Sequence, residues 1–373
     1  MTIASPKAGF LLRSRLQSLL DTLHQDGYTC IGPQLRDNII HYDVLDSVEM
    51  LPQELSEQQA PGHYKVSPAG HQRYFAWANG PQMLKPLLFA PREALWQSQA
   101  DEEGQLRFNE TIPATEPIAV IGVRACDIAA LYIHDKHFLQ QEYRDPCYLA
   151  RRQKLLLVAV NCSHPADTCF CASTGDGPHA SYGYDLALTE LDDGFIVEAH
   201  TEKGLSIQSR LELDSVTTAQ RETAHADKLH ATQQQTRSLP SSNLQRLLFE
   251  NLEHPHWEDI AERCLSCGNC TSVCPTCFCH SEFDETTLDG SSSTHYRQWD
   301  SCFNQGHSYI HGITVRSDTR LRYRQWLTHK LGSWHEQYGR SGCVGCGRCI
   351  SWCPVGIDLT GETAIICGDK DHA

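Results

Sequence analysis

Two cysteine-rich runs near the end of the chain constrain its fold more than any other feature. Each run has the spacing C-x2-C-x2-C-x3-C-P, and 68 residues separate the two. The cysteines and prolines of these runs are Cys264, Cys267, Cys270, Cys274 and Pro275, followed by Cys343, Cys346, Cys349, Cys353 and Pro354. Three thiols at such short intervals fold a loop around one compact centre, so the pattern indicates a metal-binding protein.

The repeated spacing is typical of proteins that bind two [4Fe–4S] clusters. Three thiolates of one run bind one face of a cluster, and the fourth, followed by proline, turns away to the neighbouring cluster. The predicted ligands are Cys264, Cys267, Cys270 and Cys353 for cluster 1, and Cys343, Cys346, Cys349 and Cys274 for cluster 2. Zinc is the alternative. Zinc sites usually combine two separated pairs of ligands, however, and the repeated triple spacing with a fourth cysteine provides more thiols than a tetrahedral ion needs.

Length, charge and hydropathy restrict the class of protein. A chain of 373 residues is long enough for two or three domains, so more than a small cluster-binding domain is expected. The formal net charge of -15, without a basic run, argues against a nucleic-acid partner. The first twenty residues lack an uninterrupted apolar segment, and no apolar run is long enough to span a bilayer. We therefore expect a cytoplasmic protein, without direct membrane insertion, whose partners are other proteins.

Two apolar runs in the first half of the chain predict buried parallel strands. Residues 118–123 and 155–160 are continuously apolar, and a helical pattern follows the first of them. Upstream, the leucine spacing of residues 10–24 predicts an amphipathic helix. Each strand is followed by a cysteine, Cys126 after the first and Cys162 after the second, and sites in open α/β sheets form at such carboxyl ends.

These two cysteines and two others form a candidate third metal site. Its predicted ligands are Cys126, Cys162, Cys169 and Cys171. Their spacing matches no general cluster pattern, so buried free cysteines and a zinc site remain alternatives to a third [4Fe–4S] cluster.

The predicted fold class is an α/β (α+β) N-terminal domain with a partly parallel sheet, followed by an α-helical ferredoxin-like domain with two clusters. The first domain is expected over residues 1–205 and the second over 243–373, with a polar helix or linker over 206–242. A helix is predicted over residues 319–338, between the two cysteine runs. This helix favours a helical module over the β-hairpin sandwich of small ferredoxins.

Other polar residues do not suggest catalysis. Cys277, Cys279 and Cys302 lie near the first run without a complete ligand set, which leaves a further metal site open. Lys85 is expected to be a solvated surface lysine. Dinucleotide-binding glycine turns, phosphate-binding loops and nucleophile motifs are absent from the sequence, so no catalytic residue is predicted. The chain has redox centres but no evident substrate site, and electron transfer is the simplest function.

The order of four motifs resembles the family of sulfhydrogenase β subunits, which includes the A subunit of anaerobic sulfite reductase. These motifs lie at residues 122–127 (GVRACD), 161–171, 274–279 (CPTCFC) and 299–302 (WDSC). The likeness extends from about residue 10 to residue 365, and it favours a third cluster in the N-terminal domain. The chain differs from the residues usual in this family at Ala125 and Thr174, and neither difference affects a cysteine.

The resemblance implies an iron–sulfur subunit that passes electrons between a flavin-containing, NAD(P)H-reactive γ-type subunit and a catalytic module. That module would be the small and large subunits of a nickel–iron hydrogenase, or, in the alternative, a siroheme sulfite reductase subunit. The subunit itself would be non-catalytic. A zinc-stabilised scaffold or a cluster-based redox sensor is the alternative from another class.

Overall fold

A computed structural model describes residues 8–101, 103–240 and 243–368. The strands are β1 Gly9–Leu12, β2 Thr29–Arg36, β3 Ile39–Val44, β4 Leu55–Ala60, β5 His63–Pro68, β6 Arg92–Ala100, β7 Leu106–Glu110, β8 Ile118–Val123, β9 Leu155–Val160, β10 Leu186–Glu190, β11 Gly194–Ala199, β12 Asp214–Ser215, β13 His280–Thr286, β14 Ser292–Trp299, β15 Tyr309–Ile310 and β16 Ile313–Thr314.

The α-helices are α1 Gln17–Gln25, α2 Lys85–Leu88, α3 Ala125–Leu139, α4 Pro146–Gln153, α5 Cys171–Thr174, α6 Glu202–Gln208, α7 Thr218–Gln233, α8 Leu244–Glu250, α9 His256–Arg263, α10 Asn269–Ser272, α11 Thr319–Thr328, α12 Trp334–Tyr338, α13 Arg348–Ser351 and α14 Leu359–Cys367. A π-helical turn, His329–Ser333, joins α11 to α12.

The central element is a mixed sheet with the strand order β12-β1-β11-β10-β9-β8-β2-β3. Strands β2, β8, β9 and β10 run parallel to one another, and the other neighbouring pairs in this sheet are antiparallel. The predicted partly parallel sheet is confirmed. Strands β8 and β9 can occupy its centre because their side chains are apolar on both faces.

Side chains of β8 and β9 divide between two hydrophobic cores. Ala119 and Ile121 pack into the core on one face, and Val120 and Val123 pack into the core on the other. Each fully buried aliphatic side chain contributes about 1.5–3 kcal/mol to the free energy of unfolding. The two cores hold the carboxyl ends of these strands, and the residues that follow them, in fixed positions.

The predicted helix over residues 10–24 is partly wrong. Its first residues form β1, which pairs with β11 through the backbone of Phe10 and Leu11, and the helix begins only at Gln17. The apolar residues of this segment are compatible with a strand as well as with a helix. Backbone hydrogen bonds to β11 stabilise the strand.

The segment between the two cysteine runs is helical only in its second part. Its first part forms the hairpin of β13 and β14, and β14 pairs with β6 in a sheet of order β13-β14-β6-β7. Helices α11 and α12 then confirm the predicted helix between the runs. The division of the chain at residues 205 and 243 stays a prediction, and the β6–β14 pairing links its first and last parts.

Within the described residues, no helix is both long and apolar enough to cross a membrane.

Candidate iron–sulfur sites

The first group of cysteines lines a single cavity. Helix α9 ends at Arg263, directly before Cys264, and Cys353 comes from the loop after α13. Together with Cys267 and Cys270 these thiols line the cavity, whose remaining walls are mainly apolar and include Phe303, Tyr323, Trp326 and Ile357.

Backbone amides of Ser266 and Ile357 donate to the sulfurs of Cys264 and Cys353 at 3.5 and 3.4 Å. Thiols spread around an apolar space with amide donors to sulfur suit a cluster.

The second group combines the later run with one cysteine of the earlier run. The thiols of Cys343 and Cys346 both have raised pKa values, and burial is the main cause. The pKa of Cys343 is raised to about 12 and that of Cys346 to about 11. Lys330 Nζ lies 3.4 Å from the Cys274 sulfur and 3.5 Å from the carbonyl oxygen of Gly342, the residue before Cys343. The Cys274 thiol therefore lies beside the start of the second run.

The two groups are neighbours. Burial raises the pKa of the Cys349 thiol well above its usual range, and thiols from both groups add to the effect, with Cys270 among them. A thiol buried in this way stays protonated unless a cation lies beside it, and a bound metal deprotonates it outright. The donor set is therefore suited to metal-bound thiolates.

The third group lies at the carboxyl ends of the central strands. Cys126 is in the first turn of α3, Cys162 follows β9 by two residues, and Cys171 begins α5. Burial raises the pKa of the Cys169 thiol well above its usual range, with further increases from Cys171 and Cys162. Cys126 is likewise close enough to Cys171 and Cys346 for their charges to raise its pKa, after burial. All four predicted thiols thus share one region beside the second group.

The loops that carry the second and third groups are in direct backbone contact. The amide of Phe170 donates to the carbonyl of Gly345 at 2.8 Å, and the Cys169 thiol lies 3.8 Å from the carbonyl oxygen of Cys346. A Cβ atom at Gly345 would lie 2.5 Å from the backbone of Cys171. Only glycine allows this approach, and its φ of +63° also favours glycine.

A buried ion pair joins α3, which carries Cys126, to α13 in the second run. The two terminal guanidinium nitrogens of Arg348 donate to the carboxylate of Asp127, at 2.8 and 2.7 Å. Asn79 donates a further hydrogen bond to Asp127, and Arg348 donates to the carbonyl of Gly80. The sequence suggested no role for this pair.

The additional cysteines form a hydrogen-bonded network with a histidine. Cys279 is hydrogen-bonded to Cys302 and to His307, and His307 Nδ1 lies 2.7 Å from Asp300 Oδ2. Cys277 is hydrogen-bonded to Cys274. Across the described ranges, no three or more His, Cys, Asp or Glu side chains are placed to hold a single metal ion.

Two buried lysines lie beside the cysteines, and the prediction of a solvated Lys85 is wrong. Lys85 is 6% exposed, and its Nζ donates to the carbonyls of Thr271, Ser272 and Cys274. Lys330 is 4% exposed, and its Nζ lies 3.4 Å from the sulfur of Cys274. Within the described part of the chain neither ammonium pairs with a carboxylate. The sequence signal was the apolar flanks of both residues, which predict burial of the whole segment.

Buried charges without a counter-charge are costly, so the surroundings of these lysines call for an anion. Thiolate ligands of an iron–sulfur cluster would supply that negative charge. The lysines therefore fit the same assignment as the thiols.

Comparison with known proteins supports this assignment for the later part of the chain. Residues 263–357 match the family described as a 4Fe-4S dicluster domain. Over 277 residues the chain is 31% identical to "Sulfhydrogenase 2 subunit beta" of Pyrococcus furiosus, an alignment that covers 74% of this chain and 79% of the relative. No solved structure matches the chain.

Proposed function

Because this chain belongs to the family of sulfhydrogenase β subunits, we propose that it is the β subunit of a sulfhydrogenase-like nickel–iron hydrogenase. It is an iron–sulfur electron-transfer subunit, as its relative and its 4Fe-4S dicluster domain indicate. In the proposed complex it connects a flavin-containing, NAD(P)H-reactive subunit to the hydrogenase small and large subunits. We expect the complex to be cytoplasmic.

Two [4Fe–4S] clusters are proposed for the paired cysteine runs, with the ligands predicted above. The observation that carries this proposal is the cavity lined by Cys264, Cys267, Cys270 and Cys353, together with the contact of Lys330 with both Cys274 and Gly342, the residue before Cys343. When bound, clusters of this type supply one-electron redox centres. The residues of this chain hold them, exclude water and present them to partners.

A third [4Fe–4S] cluster is proposed for Cys126, Cys162, Cys169 and Cys171. Its support is the convergence of these thiols from three separate segments and their contact with the second run. Buried free thiols do not need to converge, so the grouping favours a shared ligand.

The second group lies next to each of the other two, since Cys169 approaches Cys346 and Cys349 lines the cavity of the first group. The third group contacts Cys346, and the first group approaches Cys349 through Cys270. In the first group Cys267 is exposed, and the neighbouring Leu265 is 64% exposed. We propose that a partner subunit covers this apolar surface, because electron transfer needs the partner's redox centre close to the exposed first group.

Anaerobic purification of the native complex tests these proposals. We expect nickel–iron hydrogenase and flavin subunits to co-purify, and roughly eight to twelve irons per chain with matching acid-labile sulfide, from two or three four-iron clusters. A siroheme subunit in place of the hydrogenase would assign the chain to an anaerobic sulfite reductase. Stoichiometric zinc without sulfide would instead identify a zinc-stabilised scaffold and refute the cluster proposal.

A further inference from the structure

Lys330 occupies an unusual backbone position beside the second cysteine group. The α-helical hydrogen bonding of α11 gives way to a π-helical turn at His329–Ser333 before α12 begins. Such turns are rare and are frequently found at functional sites. Here the turn buries Lys330 together with Leu331.

The ammonium group of Lys330 is surrounded by three acceptors. Its Nζ lies 2.7 Å from the hydroxyl oxygen of Thr276, 3.5 Å from the carbonyl oxygen of Gly342 and 3.4 Å from the sulfur of Cys274. The Thr276 hydroxyl donates its own proton to Gly342, so its oxygen accepts from the lysine. An ammonium has three N–H donors, and these acceptors match that number.

We propose that Lys330 is a positioning residue that raises the reduction potential of the centre held by Cys274, Cys343, Cys346 and Cys349. The inference rests on the proposed cluster function. Reduction adds negative charge to this centre, and a nearby positive charge in a buried environment stabilises the reduced state. Hydrogen bonds to ligand sulfur are a recognised control of cluster potential and act in the same direction.

Lys85 is a matched control, because it is also a buried lysine but supports only the backbone near Cys274. Its three hydrogen bonds go to backbone carbonyls of residues 271, 272 and 274, and its Nζ lies 4.1 Å from the ring centroid of Trp299. It thus fixes the loop before Cys274 without donating to the sulfur. Both lysines are buried, so a change of potential confined to Lys330 variants would identify the sulfur contact as the cause.

The test is a redox titration of the purified complex, followed by electron paramagnetic resonance, for Lys330→Met, Lys330→Gln, Lys330→Arg and Lys85→Met. Iron and sulfide contents are measured for each variant. We expect Lys330→Met and Lys330→Gln to make reduction of one centre at least tenfold less favourable, a shift of about 59 mV to more negative potential for a one-electron couple. Lys330→Arg, which keeps the charge, should restore most of the potential, and Lys85→Met should shift it less.

Unchanged potentials in Lys330→Met or Lys330→Gln complexes that retain their iron would overturn the inference, while the proposed electron-transfer function would stand. Loss of one centre's iron from both variants would also overturn it, since the lysine would then hold the site together. Absence of iron and sulfide from the wild-type complex would refute the proposed function itself.

Discussion

Asp127 and Arg348 form a bidentate ion pair, both side chains being at most 2% exposed, that connects residues 221 positions apart. Asp127 follows Cys126, and Arg348 lies between Cys346 and Cys349 in sequence. The pair therefore fixes the third cysteine group against the second. An electron-transfer subunit depends on such fixed separations, because partner centres must stay close to one another.

Breaking this pair is expected to destabilise the protein strongly. Asp127→Asn leaves the guanidinium of Arg348 buried without a counter-charge, and such losses cost about 3–5 kcal/mol. The free energy of unfolding from anaerobic urea titration measures the effect. The exposed pair of Arg246 and Glu250 supplies the control, since Glu250→Gln should cost no more than about 0.5 kcal/mol. Equal losses in the two variants would contradict the role given to the buried pair.

Cys349→Ala is expected to remove about four irons per chain from the paired sites, because one ligand of the second cluster is lost. Iron and acid-labile sulfide analysis of the anaerobic protein measures the change. The control is Cys147→Ala, since Cys147 is buried and its thiol hydrogen-bonds to the carbonyl of Thr111 away from the three groups. Full iron content in Cys349→Ala would show that the ligand set is wrong.

Cys169→Ala tests the third site separately. We expect a loss of about four irons with the signals of the paired clusters retained, because Cys169 belongs only to the proposed third ligand set. Electron paramagnetic resonance of the dithionite-reduced protein distinguishes the centres. Retention of all the iron after this change would mean that the third group consists of buried free thiols.

Gly345→Ala should disturb the contact between the second and third groups. The new Cβ would meet the backbone of Cys171 at 2.5 Å, so one of the two loops must move. Gly339 is the matched control because its φ of +72° is similar and its added Cβ would meet nothing within 4 Å. Gly339→Ala should cost about 1–2 kcal/mol from left-handed backbone strain alone. A larger loss of unfolding free energy in Gly345→Ala, with iron loss, is the expected outcome; equal losses would rule out the steric argument.

Acidification should lower the free energy of unfolding because His134 is buried in its neutral form. Burial, followed by the nearby charges of Lys85 and His137, lowers the pKa of His134 to about 3. Its folded-state pKa is below the unfolded value of about 6.5, so the unfolded chain binds more protons between these values. Stability is therefore complete above pH 6.5 and falls as pH decreases, by up to about 1.36 kcal/mol per pH unit for this residue.

Unfolding free energies between pH 5.5 and 7.5 measure this dependence. His134→Leu should reduce the slope below pH 6.5, because the substituted side chain cannot take up a proton in the unfolded state. His311→Gln, at an exposed position, should leave the slope as it is in the wild type. An unchanged slope in His134→Leu would show that this histidine is not a source of the acid sensitivity.

The central strands and the cysteine runs could be predicted from sequence because each depends on local pattern. Continuous apolar runs at residues 118–123 and 155–160 leave few alternatives to buried strands, and the structure confirms them as parallel neighbours. By contrast, the segment at residues 9–12 fitted both a helix and a strand. Its pairing with β11, more than 180 residues later, decided the outcome.

The spacing of the two cysteine runs by itself determined the grouping of three thiols in each loop, because a few bonds of backbone limit how far they can separate. Tertiary structure decided how these loops meet the rest of the protein: Asp127 against Arg348, Gly345 against Cys171, and Lys330 against Cys274. These contacts join residues 56 to 221 positions apart, so they depend on how the whole chain packs. A buried lysine looks like a surface lysine in sequence, since only packing removes its ammonium group from water.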